Sequence, residues 1–148
     1  MLIKDLSYYQ FCFINLSVSR FGDKVAPHKP LLLLSLIDLI EADVITSPQV
    51  ELSEDLVGMF LRNADLFAKD IKHYRPNIGM PFYYMRSEPF WQLVPKVDGV
   101  TPVANTITSL RQHYAHAKID DELFTLLQDS TTAQTLRVTL IETYLLTK

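Results

Sequence analysis

Two short stretches of this sequence put cationic side chains where an anion could meet them. Pro27-His28-Lys29-Pro30 stands immediately before a run of leucines. If that run is a helix, its N-terminus leaves backbone N–H groups unpaired and carries about half a positive charge. His28 and Lys29 add donors and charge at the same spot, which suits a phosphate or a base edge; a solvated turn accounts for the same residues equally well. The second stretch holds Lys69, Lys72, His73 and Arg75, four groups within seven residues, with Tyr74 interleaved and only Asp70 opposing. It leads into Asn77-Ile78-Gly79-Met80-Pro81 and has the character of a phosphate-tracking surface, or of a solvated loop. The aromatic cluster that follows, Phe82, Tyr83, Tyr84, Phe90 and Trp91, reads as core rather than as a base-stacking platform.

Other chemistries find less support. His113 and His116 lie three apart on an expected helix and share a face, but two ligands do not make a zinc site. Asp70-Ile71-Lys72 matches the Asp-x-Lys half of a nuclease signature. Its partner acid would have to come from an upstream strand to hold Mg²⁺, and Asp65 and Glu54 fall in helix-like sequence. Four scattered glycines build no phosphate loop, and no Gly-x-Ser-x-Gly elbow is present. Cys12, the one cysteine, sits in Phe11-Cys12-Phe13-Ile14 and reads as a small buried hydrophobe. No catalytic residue, metal ligand or cofactor is expected.

The elements that must position these groups follow from periodicity. With 148 residues, 48% apolar and 21% charged, the chain is expected to form a single domain over 1–148 with a sizeable core. The longest apolar run, Leu31 to Leu34, is far too short to span a bilayer, and the N-terminus lacks a signal-peptide pattern, so the expected location is the cytoplasm. Leu6 to Ser17 reads as an amphipathic helix, and Arg20 to Pro27 as a loop. Pro30 suits a first helical position, and Leu31 to Ile40 is apolar nearly all round except for a narrow stripe of Ser35, Asp38 and Glu41, which predicts a buried central helix. Ser53 caps a helix expected to run to about Arg62. Residues 81–86 and 90–94 read as two aromatic strands joined by Ser87-Glu88-Pro89 in a hairpin. Helices over 108–117, 120–128 (capped by Asp120) and 131–146 complete an α+β, mostly helical fold, with a short aromatic hairpin or small sheet and a helical C-terminal part. The net charge of −3 argues weakly against an anionic partner, but a basic patch acts over a Debye length of about 8–10 Å.

Three segments together resemble a known family. They are Pro27-His28-Lys29-Pro30-Leu31-Leu32-Leu33-Leu34, then Met80-Pro81-Phe82-Tyr83-Tyr84-Met85-Arg86-Ser87-Glu88-Pro89-Phe90-Trp91-Gln92-Leu93, then residues 136–144. Their order and spacing are similar to the N-terminal α/β DNA-binding domain of bacterial HNH restriction endonucleases. That group includes the sulfur-binding domains that read phosphorothioate DNA. The resemblance implies that His28 and Lys29 touch DNA at the modified step, and that Met80, Pro81 and Tyr84 border an apolar cavity for the sulfur. Sulfur in place of a non-bridging oxygen is larger, softer and less hydrated, so an apolar wall penalises it less. A proline wall has no N–H to bury. Such a contact is expected to discriminate by roughly 1–3 kcal/mol. Met80 stands where the sulfur readers carry tyrosine, Tyr84 where they often carry a small residue, and Pro89 where many relatives carry glycine.

The leading expectation is therefore a double-stranded DNA-binding module of a restriction-type system that reads phosphorothioate DNA. His28 and Lys29 would contact base edges or phosphate, and Lys72, His73, Arg75 and Arg86 would hold the backbone. No HNH motif occurs in these residues, so cutting would fall to a nuclease domain or subunit elsewhere. A protein-docking module, marked by an exposed Tyr83, Tyr84 and Trp91 patch, and a metal-dependent nuclease using Asp70 and Lys72 are the alternatives.

Overall fold

Residues 3–18, 20–21, 24–71 and 75–146 are described by the computed structural model. Asp5 starts α1 (Leu6–Ile14): its carboxylate accepts the Tyr8 N–H at 3.0 Å and so satisfies a first-turn donor. Tyr9, Cys12 and Phe13 form the buried face. The helix stops short of the expected Ser17. Beyond it the Tyr144 hydroxyl lies 2.6 Å from the Phe13 carbonyl, 2.7 Å from that of Ile14, and accepts the Leu16 N–H at 3.0 Å. A side chain far away in sequence thus closes the helix end. The expected loop over 20–27 holds two short strands instead. β1 (Arg20–Phe21) and β2 (Lys24–Val25) pair antiparallel, Arg20 opposite Val25.

The central helix, α2 (His28–Glu41), begins two residues earlier than Pro30, which leaves the proline in the first turn, where no N–H is required. Every residue from Lys29 to Ile37 is buried, as are Leu39 and Ile40. Its C-terminus turns through Asp43 at φ 58°. There the Val44 N–H reaches back to Leu39 and the Asp43 N–H to Ile40, the paired closure that a left-handed residue allows. β3 (Gln49–Val50) precedes α3 (Glu54–Ala68), whose Ser53 cap accepts the Leu56 N–H at 3.1 Å. α3 continues beyond Arg62 because Asn63, Ala64 and Ala68 extend the face begun by Leu56 and Phe60.

The largest departure from expectation follows. Residues 81–86 are not a strand: α4 (Gly79–Tyr84) and a 3₁₀ turn (Met85–Ser87) occupy them. Pro81 falls in the first turn, like Pro30, and Phe82, Tyr83 and Met85 are buried. Only β4 (Trp91–Pro95) is extended, and it pairs elsewhere. Trp91 ties it to α4, its indole N–H donating to the Phe82 carbonyl at 3.1 Å. α5 (Ile107–His113), started by a Thr106–Ser109 capping box, ends four residues before the expected Ala117. The chain then becomes β5 (Tyr114–Ile119), the central strand of an antiparallel sheet ordered β3-β5-β4. Trp91 faces Ile119, and Val50 faces Ala117. Pairing on both edges outweighs the local helical pattern of 114–117.

α6 (Asp121–Gln128), α7 (Ser130–Leu140) and a π-helical turn (Ile141–Leu145) finish the described chain. Asp120 makes no side-chain cap bond to α6. Its carboxylate instead accepts from the Tyr9 hydroxyl at 2.7 Å and meets the Lys4 ammonium at 3.3 Å. Helices around a buried α2 with a small sheet at one side give the mostly helical α+β architecture expected. No helix among the described residues is long and apolar enough to cross a membrane.

Candidate functional site

A cavity of about 410 Å³ opens at the N-terminal end of α2. Ala26, His28 and Lys29 approach it from that end, Met80, Pro81 and Tyr84 from α4, Arg86 and Ser87 from the following turn, and Ser17 and Val18 from the segment after α1. Six of the residues singled out in the sequence, His28, Lys29, Met80, Pro81, Tyr84 and Arg86, therefore line one space. Arg75 is exposed and does not line it. Lys72 and His73 lie outside the described residues.

Gly79 sets the position of the α4 wall. A Cβ there would stand 2.4 Å from the Asn105 carbonyl oxygen, so only glycine lets the loop before α5 pass this close. Met80 and Pro81 follow directly, and Pro81 is buried while Tyr84 is 39% exposed at the rim. Val18, Ala26, Met80, Pro81 and the Tyr84 ring make the lining predominantly apolar. Pro27 offers no capping side chain to α2. Burial pushes the His28 imidazole down from its ordinary pKa, which favours the neutral ring, a form able to donate from one nitrogen and accept at the other.

Lys29 is placed differently from a free contact. Its ammonium donates to a Glu88 carboxylate oxygen at 2.7 Å and to the Ser87 hydroxyl at 2.9 Å, with both ionic side chains under a tenth exposed. The same Glu88 oxygen accepts the Ser17 N–H at 3.0 Å. One carboxylate thereby binds the start of α2 and the segment after α1 at the cavity edge. Breaking such a buried pair from one side is costly, because it strands a charge. Arg86 is exposed among the lining residues, with its guanidinium carbon 4.5 Å from the centre of the Tyr83 ring. Tyr83 in turn meets the Tyr84 ring edge-on at 5.0 Å.

Ser17, Val18, Ala26, Ser87 and Glu88 were not singled out by sequence reasoning. Glu88 stood in view only as part of a supposed hairpin turn, and nothing local signals a partner 59 positions away. Of the aromatic cluster expected in the core, Phe82, Tyr83, Phe90 and Trp91 are buried, whereas Tyr84 is exposed. The exposed Tyr83, Tyr84 and Trp91 patch that would mark a docking module is therefore not formed; Tyr84 alone reaches the surface. His113 ends α5 and His116 lies in β5, so they do not share a helical face. Asp70 is exposed just beyond α3.

The model of the ScoMcrA-like DNA sulfur-binding domain matches residues 12–148. The chain belongs to this family. Among solved structures, the sulfur binding domain of SprMcrA complexed with phosphorothioated DNA is similar in fold, with a TM-score of 0.69 at 16% identity, covering 95% of this chain and 86% of that one. The sulfur binding domain of ScoMcrA, also complexed with phosphorothioated DNA, gives 0.65 at 17% identity over 92% and 86%. A longer ScoMcrA structure containing the sulfur binding and SRA domains gives 0.59 at 17% identity, covering 90% of this chain and 41% of that one. No curated protein matches the chain. This sulfur-binding domain is thus a DNA-binding module of the restriction-associated kind, carrying its apolar cavity between α2 and α4.

Proposed function

We propose that this sulfur-binding domain reads a phosphorothioate in double-stranded DNA by seating the sulfur in the cavity beside α2, and that residues 1–148 act as one binding module in the cytoplasm with no cutting chemistry of their own. The observation that carries the reading is the convergence of His28 and Lys29 with Met80, Pro81 and Tyr84 on one space of about 410 Å³. Pro81, Met80 and Val18 would wall the sulfur. An ordinary phosphate oxygen seated there would lose hydration that these groups cannot replace. His28, neutral at pH 7, would donate to an acceptor on the base edge or phosphate. Arg86 at the rim would hold the backbone, with Arg75, Lys72 and His73 extending that hold along the duplex. Most of the affinity then comes from phosphate contacts and falls with salt, while the sulfur supplies the preference.

The test is a gel shift with matched phosphorothioate and ordinary duplexes at low and moderate salt. The wild type is expected to prefer the sulfur duplex. Pro81→Ala should weaken mainly that duplex, by about 1–3 kcal/mol. Equal losses on both duplexes would remove Pro81 from sulfur reading.

A further inference from the structure

We propose that Glu88 sets how strongly this pocket prefers phosphorothioate over phosphate, acting through Lys29 rather than by touching DNA; the proposal rests on the sulfur-reading function above. The geometry is unusual for a site meant to receive an anion. The cation at the head of the buried helix is already neutralised, at 2.7 Å, by a carboxylate with a side-chain exposure of 5%. Glu88 is also fixed from a second direction by the Ser17 N–H, and Ser87 supplies a second acceptor for the ammonium. Each member of the pair thus has a second partner, and the pair's net charge is zero.

The consequence for the ligand follows from solvation. Phosphate and phosphorothioate diesters carry the same single negative charge, so a free ammonium attracts both. It rewards oxygen more, because oxygen is the harder, better hydrated acceptor and a charge-assisted hydrogen bond replaces its lost water. With Lys29 held by Glu88, that reward is withheld. An oxygen entering between Pro81, Met80 and Val18 is desolvated without repayment, whereas a sulfur has less hydration to lose. Glu88 therefore lowers affinity for the ordinary backbone and raises discrimination. Removing its charge while keeping its shape should turn the reader into a tighter but less selective DNA binder.

Glu88→Gln keeps an oxygen for the Ser17 N–H and for Lys29. Short duplexes of randomised sequence with one phosphorothioate step, and the same pool with ordinary phosphate, serve as probes in anisotropy titrations across a salt series. In Glu88→Gln, affinity for the phosphate pool is expected to rise about tenfold, as one gained charge-assisted bond would give. The salt slope should steepen by about 0.9, as for one more phosphate contact. The sulfur pool should change less, so the preference shrinks. Adding Lys29→Met to Glu88→Gln removes the released cation and should restore the preference, and this arm stands even where the single variant folds poorly. A purely structural role for Glu88 predicts parallel loss on both pools with an unchanged slope, and that result overturns the proposal. So does failure of the double variant to regain the preference. A wild type that binds both pools equally overturns the sulfur reading itself; a wild type that prefers sulfur, with the same ratio in Glu88→Gln, overturns only the role given to Glu88.

Discussion

The two ends of α2 use the same kind of pairing for different purposes. Toward the C-terminal end, the narrow polar stripe of Ser35, Asp38 and Glu41 meets two neighbouring helices. The Asn63 amide of α3 donates to the Ser35 hydroxyl at 3.0 Å and to Asp38 at 3.1 Å, and the Arg137 guanidinium of α7 reaches Asp38 at 2.9 Å and Glu41 at 3.0 Å. Among the described residues every partner there comes from a helix, and arginine's planar fork spreads over two acids. At the N-terminal end a single ammonium faces a single carboxylate, delivered by the turn after α4. Both ends adjoin a cavity; the one beside Arg137 is about 340 Å³ and holds Asp38, Asn63 and Arg137 on its wall. The lesson is that a forked pair between helices locks the scaffold, whereas a point charge held from a turn can be rebalanced by one substitution. The first end joins α2 to its neighbouring helices, and the second is the one proposed to tune the site.

The largest expected effect breaks the N-terminal pair. Lys29→Ala strands the buried Glu88 carboxylate and should cost about 3–5 kcal/mol in urea unfolding, with most of the loss recovered when Glu88 is also made apolar. Next, Gly79→Ala drives a Cβ against the Asn105 carbonyl. It should destabilise by about 1–3 kcal/mol, and it should also weaken sulfur-duplex binding because α4 carries Met80 and Pro81. At the other end, Arg137→Ala should cost about 1–2 kcal/mol, since its partners are partly solvated, and it should leave the DNA preference unchanged. An altered preference in that variant would erase the distinction between the ends.

The smallest effect is a slope. Burial lowers the folded pKa of His28, so the unfolded chain holds the proton more readily. The stability from keeping the ring neutral is complete above its ordinary pKa of about 6.5 and is lost as the pH falls from there toward the folded value. His28→Gln should flatten that loss, measured as the fall in the unfolding midpoint between about pH 7.5 and pH 5.

These contrasts also explain what could be read from the sequence. The buried helix was legible because an almost unbroken apolar run with one polar stripe has few alternatives, and the stripe proves to be a docking edge for α3 and α7. The same reasoning failed at Pro81-Phe82-Tyr83-Tyr84, where aromatic β-propensity pointed to a strand. Burial of Phe82, Tyr83 and Met85 on a short helix, with the Trp91 indole anchored to the Phe82 carbonyl, overrode it. Residues 114–117, expected to be helical, failed in the opposite sense. Alternation there is blurred by Ala115 and Ala117, and the strand exists because β3 and β4 pair with both its edges. For the site, residue types at a helix start pointed to His28 and Lys29, the family resemblance implied Met80, Pro81 and Tyr84, and Arg86 was expected to hold the backbone. Their shared cavity, and the Glu88 that holds Lys29, depend on contacts across 58 and 59 positions that no local pattern encodes.

The central claim, that the space between α2 and α4 receives the modified step, is most directly tested by a crystal structure of the domain with phosphorothioate DNA, locating the sulfur by its anomalous scattering. The account predicts the sulfur in van der Waals contact with the Pro81 ring, with His28 and Arg86 facing the same strand. A sulfur outside this cavity, for instance along the groove beside Arg137 or pointing to solvent, would contradict it.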